Sequence, residues 1–306
     1  MTFWKAFLNY NKGKKKNIQE LSREYLDTIK IMTWNVLARK ATRYQSNKHL
    51  YHPYSVKHLS EHIEQTLRRY ELIFEQIEKN DMDIIFLQEI DVNLYTYMKK
   101  HLKNNYQIIF NPVLDNNSNN QSLSFGTAIL FKNKRFLLNK AYDINSKTDK
   151  YAWKNASVIL INDKKNKNGS FYCVSIHLSG SKIDKNIELL KDTFKKIKKE
   201  IPILIAGDFN CRYLLSDCLL KYEQFKELNT FKIKKKDIST CTFDYDNKHK
   251  KSLIDGIFFS KKFEPITYQI GKHECQKKLY QKNENYSDIN YGSDHFWIKG
   301  LIQLKI

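Results

Sequence analysis

The sequence predicts one α/β domain in which antiparallel strand pairs are common. Short apolar runs typical of buried strands alternate with three amphipathic stretches at helical spacing. Several consecutive strands are joined by connections too short for a helical crossover, so antiparallel pairs must be common. The 306 residues include only 4 Pro and 9 Gly, and no Pro/Gly-rich linker or internal repeat divides them. We therefore expect a basic lead-in at residues 1–28, followed by a single domain at residues 29–306.

The first half of the chain contains three predicted strands and two predicted helices. The strands are Ile29–Ala38, Met82–Ile90 and Tyr106–Pro112, and the helices are Val56–Asn80 and Val92–Asn105. The first helix has apolar residues at helical spacing, whereas the strands are short and apolar. A His- and Tyr-rich loop at Thr42–Tyr54 follows the first strand, and a polar loop at residues 115–122 follows the third.

The second half is richer in strands and contains one predicted helix, Lys182–Ile201, with a lysine-rich outer face. The predicted strands are Phe125–Lys132, Asn155–Asn162, Gly169–Leu178, Ile203–Ala206, Leu253–Ser260 and His295–Ile306. The helix lies between the predicted strands Gly169–Leu178 and Ile203–Ala206.

Composition narrows the class of protein. The net charge of +20 attracts polyanions such as nucleic acid or anionic lipid, although a compositional bias toward Lys, Asn and Ile explains it equally well. Five scattered cysteines with no CxxC pair argue against a disulfide framework or a structural zinc site. No apolar stretch approaches a membrane span, and no secretory signal is evident. We expect a cytoplasmic monomer, with the nucleus as the alternative location.

The predicted strands share an unusual feature. Many of them end on, or begin beside, polar residues of the types that bind metals or take part in catalysis. These residues are Asn35, Gln88, Glu89, His177, Asp208, Asn210, Asp255, Asp294 and His295. Any one of them is ordinary alone, and Asp208 with Asn210 could simply form an Asx-type turn. Together they predict a site at one rim of the domain, where strand ends meet.

The residue types at this rim favour one chemistry. Carboxylates and an amide without thiolates favour a hard cation, Mg²⁺ or Mn²⁺, over zinc. Histidines can hydrogen-bond phosphate oxygens, and an adjacent Asp fixes the tautomer of a His and raises its basicity. An Asp–Asn pair can orient water for in-line attack on a phosphodiester or phosphomonoester.

The motifs "TWN", "LQE", "IHL", "GDFN", "IDGIFFS" and "SDHF" occur in an order and spacing that resemble the endonuclease/exonuclease/phosphatase superfamily. The resemblance extends from about Lys30 to the C-terminus. It implies a four-layer α/β sandwich in which two mixed sheets pack face to face between helices. It also implies that Glu89 is the principal metal ligand, that Asn35 lies at the metal, and that Asp294 assists the metal or orients a His.

The same resemblance implies catalytic roles for five residues. His177 and His295 would contact the phosphate, with Asp255 as the partner of His295. Asp208 would position or activate water, and Asn210 would stabilise the transition state. Because all expected positions are filled, a catalytically inactive nucleic-acid-binding module is the less favoured reading.

"WNVLA", a long insert and an Arg-bearing helix are similar to the carbon-catabolite-repressor, nocturnin and Angel-type deadenylases. This similarity favours a Mg²⁺-dependent 3′-5′ exoribonuclease acting on single-stranded RNA. The strand "FGTAILFK" equally resembles DNA endonucleases or DNA-end-processing enzymes, and a phosphoinositide phosphatase is a further alternative. Basic and aromatic residues interleave beside the predicted site, as in single-strand-binding surfaces. Arg43, Tyr44, Arg212 and Tyr213 are therefore candidate substrate-binding residues.

Overall fold

The computed structural model describes part of the chain around a two-sheet core. The described residues are 27–36, 59–113, 125–145, 155–166, 169–178, 183–210, 228–231, 233, 240–243, 249–271, 293 and 295–305. Most of the lead-in and five predicted site residues lie outside these ranges. Those site residues are Arg43, Tyr44, Arg212, Tyr213 and Asp294.

Strands dominate the described residues. In chain order they are β1 (Thr28–Asn35), β2 (Ile84–Asp91), β3 (Tyr106–Pro112), β4 (Phe125–Lys132), β5 (Phe136–Asn145), β6 (Asn155–Asp163), β7 (Ser170–His177), β8 (Ile203–Asp208), β9 (Leu228–Thr230), β10 (Thr240–Phe243), β11 (His249–Ser252), β12 (Asp255–Ser260), β13 (Phe263–Ile270) and β14 (Ile298–Leu304). The helices are α1 (Leu59–Asn80), α2 (Val92–Leu102) and α3 (Ile183–Lys195). None of these helices is both long and apolar enough to cross a membrane.

The strands form two six-stranded sheets and a two-stranded hairpin, β10–β11. The first sheet has the order β13-β14-β1-β2-β4-β3, and the second has the order β5-β6-β7-β8-β12-β9. Each six-stranded sheet has one parallel pair, β1–β2 in the first and β7–β8 in the second. A helix lies within each of these two connections, α1 and α3 respectively, because parallel neighbours require a crossover. The remaining described pairs are antiparallel, as the short connections predict.

Three apolar clusters show that the sheets and helices form four layers. One cluster joins the outer side of the first sheet to α1 and α2, through residues such as Ile73 and Ile85. A second cluster fills the space between the sheets and contains Phe86 and Phe171. A third joins the second sheet to α3, with Val174 and Leu190 as members. Residues of β2 alternate between the first two clusters, as the pleat of a strand requires. The predicted four-layer α/β sandwich is confirmed.

Sequence patterns miss several strands that lie at or near sheet edges. Edge strand β5 interleaves polar residues with apolar ones, and its Leu137 is 54% exposed. Edge strand β13 contains Pro265 at an irregularity in its pairing with β14, and Pro is tolerated only at such positions in sheets. The short strand β9 and the hairpin are also absent from the prediction. The third helix ends at Lys195, six residues before its predicted end.

Candidate active site

The topology brings five strand ends to one rim of the sandwich. In the parallel pairs, Asn35 is the register partner of Gln88, and His177 is the partner of Asp208. The antiparallel β12 then places Asp255 opposite Asp208. The first sheet therefore contributes Asn35 and the adjoining Glu89, while the second contributes the other three residues.

A β-bulge brings Glu89 to this rim. The pairing of β2 with β4 shifts by one residue between Leu87 and Ile90, and Glu89 has a φ of 55°. Without the shift, regular alternation would direct Glu89 outward with Leu87, toward the helices. Instead Ile90 points outward and packs with Leu87 in the apolar cluster between the first sheet and the helices. A left-handed conformation in a non-glycine strand residue costs free energy, and such residues cluster at functional sites.

Gly207 lets the second sheet close at the rim. A Cβ atom at Gly207 would lie 1.9 Å from the carbonyl oxygen of Ile176, so only glycine fits there. The next residue, Asp208, is consequently held beside His177. Phe209 points into the outer core, where its ring packs edge-on against Phe258 at 5.0 Å. The aromatic residue inside the "GDFN" motif therefore anchors the end of β8.

Asn210 lies beside the cluster of carboxylates rather than within it. Its φ is 50°, and its backbone N–H donates to Asp208 Oδ1 at 2.8 Å, which forms the Asx-type turn that the sequence allowed. Its side-chain amide donates to the carbonyl oxygen of Leu178 at 2.8 Å. In this conformation Asn210 fixes Asp208 and the residue that follows His177.

Asn35 bridges the two sheets. Its Nδ2 donates to Glu89 Oε1 at 2.9 Å and to Asp208 Oδ2 at 3.0 Å. The ring of His177 faces the same two carboxylates, with Nε2 3.7 Å from each of these oxygens. Asn35 and His177 thus each lie against both buried acidic side chains, and the hydrogen bonds from Asn35 offset the cost of burying them.

His295 completes the cluster and is held from two sides. Its Nδ1 lies 2.9 Å from Asp255 Oδ2, and its Nε2 lies 3.7 Å from Asp208 Oδ2. Its backbone N–H donates to Ser293 Oγ at 3.1 Å, while Ser293 Oγ donates to the Asn35 carbonyl oxygen at 2.6 Å. Trp34 Nε1 donates to the His295 carbonyl oxygen at 2.9 Å. Motif reasoning missed Trp34 and Ser293, because neither residue type marks this chemistry.

Burial, and to a smaller extent the neighbouring Asp255 carboxylate, raise the pKa of the Asp208 carboxyl to about 6. His295, His177 and the hydrogen bond from Asn35 act in the opposite direction. The pKa of this group is therefore higher in the folded chain than its ordinary value of 3.8. Its ionisation opposes folding, so stability is lost as the pH rises from about 4 through 6.

We therefore expect Asp208→Asn to stabilise the metal-free protein at pH 7.5. The difference between a pKa of about 6 and the ordinary value of 3.8 corresponds to about 3 kcal/mol, which is an upper limit because Asn also alters the hydrogen bonds. Urea unfolding at pH 7.5 and pH 4 in chelator measures the effect, and the gain should vanish at pH 4. The exposed Asp192 provides the control Asp192→Asn. Equal stability of wild type and Asp208→Asn at pH 7.5 would contradict the raised pKa.

The donor set fits a hard divalent cation. Ligand atoms of Asp208, Asp255 and His295 all lie within 4.8 Å of one another. Since Asp255 and the Nδ1 atom of His295 contact each other, Glu89 and Asp208 are the carboxylates better placed to hold an ion. The Glu89 side chain is 11% exposed, so solvent reaches this edge of the cluster. Asn35 presents its amide nitrogen to the carboxylates, and ligation through its oxygen would require rotation of the amide.

The fold and the site together define a class, a two-sheet α/β sandwich with carboxylates, an amide and histidines at one rim. The model of the Endonuclease/Exonuclease/phosphatase family matches residues 32–295. The chain therefore belongs to this family, whose members hydrolyse phosphodiesters or phosphate esters. A comparison with curated protein sequences finds no match.

Solved structures share the whole fold at low sequence identity. The human nocturnin catalytic domain with bound sulfate is 18% identical, with a TM-score of 0.61 over 92% of this chain and 94% of that one. ANGEL2, a 2′,3′-cyclic phosphatase in complex with adenosine-2′,3′-vanadate, is 17% identical, with a TM-score of 0.66 over 91% and 96%. TDP2 from D. rerio with a single-stranded DNA product is 16% identical, with a TM-score of 0.60 over 90% and 99%.

Proposed function

We propose that this chain is a Mg²⁺- or Mn²⁺-dependent phosphodiesterase that shortens single-stranded RNA from its 3′ end. The observation that carries the proposal is the joining of Asn35, Glu89, His177, Asp208 and His295 by contacts of 3.7 Å or less. These residues come from both sheets and are all buried or nearly so. Such an arrangement is costly to fold, which favours a role in chemistry over a role in stability.

Glu89 and Asp208 would hold the divalent ion, with Asp294 proposed as a further contributor. When bound, the ion would supply positive charge to a phosphate oxygen and lower the pKa of a coordinated water. The Asn35 amide and the His177 ring each lie against both Glu89 and Asp208, so the protein has already arranged the two carboxylates before an ion binds.

The other residues would act on the phosphate and on the attacking water. The contact with Asp255 holds the His295 ring so that its Nε2 faces the interior of the cluster and could donate to a phosphate oxygen. His177 would contact the same phosphate from the second sheet. Asp208 would position or activate the water, and Asn210 would orient that water or stabilise the transition state.

The choice of RNA rests on sequence features near the first strand. The segment "WNVLA" and the following Arg-bearing helix are similar to deadenylases, and Arg69 of α1 donates to the Val36 carbonyl oxygen at 2.7 Å. This buried contact fixes the point where the insert leaves β1. The net charge of +20 suits a polyanionic substrate. Arg43, Tyr44, Arg212 and Tyr213 remain the proposed substrate-binding residues.

The experiment is an assay of the purified chain on four labelled substrates with either Mg²⁺ or EDTA. The substrates are an oligo(A)-tailed RNA, an abasic DNA duplex, a dinucleotide and an inositol phosphate. We expect shortening of the RNA tail alone, and we expect EDTA to abolish it and excess Mg²⁺ to restore it. Turnover of DNA alone would select the DNA-processing alternative, and turnover of inositol phosphate alone the phosphatase. Binding to nucleic acid without metal-dependent turnover would contradict an enzymatic function.

A further inference from the structure

The side chains that fill the space between the two sheets change from apolar to polar directly beneath the candidate active site. Over most of its depth this space is filled by apolar side chains such as Phe86 and Phe171. Close to the rim, Thr33, Gln88 and Ser175 are instead fully buried polar residues at 0% exposure. Thr33 and Gln88 belong to the first sheet and Ser175 to the second. A polar contact therefore crosses the interior between the sheets.

Ser175 is the centre of this contact. Its Oγ donates to the Leu87 carbonyl oxygen at 3.0 Å and accepts from Gln88 Nε2 at 3.0 Å. Thr33 Oγ1 donates to the other end of the Gln88 amide at 3.4 Å. One hydroxyl group thus holds both the backbone and a side chain of β2. In a buried, low-dielectric location these hydrogen bonds are strong, and their loss leaves unsatisfied groups.

The contact falls at the bulge that turns Glu89 to the rim. Leu87 is the last residue in regular pairing before the shift, and Gln88 immediately precedes Glu89. The Val36 N–H, directly after β1, donates to the Gln88 carbonyl oxygen at 3.0 Å. The bulge is therefore also held from the side of β2 that faces β1, opposite β4. A residue with a φ of 55° in a strand persists only where its surroundings enforce it. Ser175 is one part of those surroundings, and it comes from the opposite sheet.

The second sheet also supports the strand that faces the bulge. Ser157 is the register partner of Ser175 and donates to the Thr127 carbonyl oxygen at 3.0 Å. Thr127 lies in β4 between the partners of Leu87 and Ile90, directly opposite the bulge. Two neighbouring serines therefore hold the two strands that form it. The two-sheet architecture accordingly offers a way to fix Glu89 relative to His177, which is only two residues beyond Ser175 on β7.

We infer that Ser175 is a positioning residue for Glu89, which holds the carboxylate at the geometry needed for ion binding. The inference rests on the proposed function in assigning an ion to Glu89. Ser175 acts through the bulge and does not touch the substrate. Residues that orient metal ligands typically affect metal affinity by about 10- to 100-fold when removed.

The test compares Ser175→Ala with a matched control, Ser260→Ala. Ser260 Oγ also bonds backbone groups, accepting from the Ile203 N–H at 2.8 Å and lying 3.4 Å from the Ile203 carbonyl oxygen, at the opposite end of β8. We expect Ser175→Ala to weaken Mn²⁺ binding, followed by electron paramagnetic resonance, about 10- to 100-fold. We also expect faster amide hydrogen exchange at Glu89 and Ile90. Ser260→Ala should leave both measurements at wild-type values.

The readouts separate this inference from the proposed function. Wild-type Mn²⁺ binding without turnover of any substrate would refute the proposed nuclease and leave the comparison of affinities intact. If wild type bound no Mn²⁺, the amide exchange at Glu89 would decide the positioning role. Unchanged exchange and unchanged affinity in Ser175→Ala would overturn the inference, as would equal losses in Ser260→Ala. If Ser175→Ala does not fold, Gln88→Met replaces it in the test. Slower amide exchange at Glu89, or a Mn²⁺ affinity equal to that of wild type, would then overturn the inference.

Discussion

Replacing Glu89 by alanine is expected to abolish hydrolysis while leaving the chain folded. The carboxylate shares the Asn35 amide with Asp208 and is the more exposed of the two, with 11% of its side chain accessible against 2%. Loss of an ion's charge stabilisation is worth several kcal/mol, which corresponds to a rate lower by about 10³-fold or more. Alanine keeps the left-handed backbone and removes the hydrogen bond that Asn35 donates to Glu89, so stability should change by only about 1 kcal/mol.

The rate and the unfolding free energy must be measured on the same preparation. Steady-state hydrolysis in Mg²⁺ gives the first, and urea unfolding followed by circular dichroism gives the second. Glu75, an exposed residue of α1, supplies the control Glu75→Ala, which should match wild type in both. Undiminished turnover by folded Glu89→Ala would refute the role of Glu89 as the principal ligand.

The fold could be predicted because most core strands have an apolar pattern that needs little context. Strands such as Tyr106–Pro112 and Phe125–Lys132 have the same limits in the prediction and in the structure. The edge strands β5 and β13 were missed because their outer faces carry polar residues or proline. Strand patterns follow burial, and an edge strand is buried on fewer sides than a central one.

The site could be predicted in composition but not in geometry. Strand-end motifs identified Asn35, Glu89, His177, Asp208 and His295, which the structure brings together. The direction of Glu89 could not be inferred, because alternation along "IIFLQEI" gives no indication of an extra residue in the pairing with β4. The supporting contacts of Ser175 and Ser293 also arise from tertiary structure alone. Hydroxyl side chains are common on strands, so their sequence context does not mark such roles.

One end of the sandwich carries the candidate active site, and the opposite end carries contacts that stabilise the fold. At the rim, buried carboxylates and a left-handed Glu89 are arrangements that cost stability. At the opposite end, Arg135 lies in the turn that carries the chain from β4 in the first sheet to β5 in the second. Arg135 is 8% exposed and contacts two carboxylates. Asp83 directly precedes β2 of the first sheet, and Asp163 is the last residue of β6 in the second sheet. This buried cation holds the sheets together far from the site.

Arg135→Met is therefore expected to lower the free energy of unfolding by about 3–5 kcal/mol, because it leaves two buried carboxylates without their shared cation. In the wild type, Arg135 lies 2.8 Å from each carboxylate and donates to the Thr28 carbonyl oxygen at 2.6 Å. Urea unfolding at pH 7.5 measures the loss. Activity per folded molecule should remain that of wild type, since the substitution lies at the end of the strands opposite the rim.

Two further variants identify the cause of that loss. The exposed neighbour Lys134 provides Lys134→Met, which removes the same charge nearby and should change stability by less than about 0.5 kcal/mol. Adding Asp83→Asn and Asp163→Asn to Arg135→Met should recover part of the lost stability, because no unpaired buried charge then remains. A loss in Arg135→Met no larger than that in Lys134→Met would show that the ion-pair network contributes nothing. Without recovery in the triple variant, the loss would belong instead to the packing of the arginine stem and its bond to Thr28.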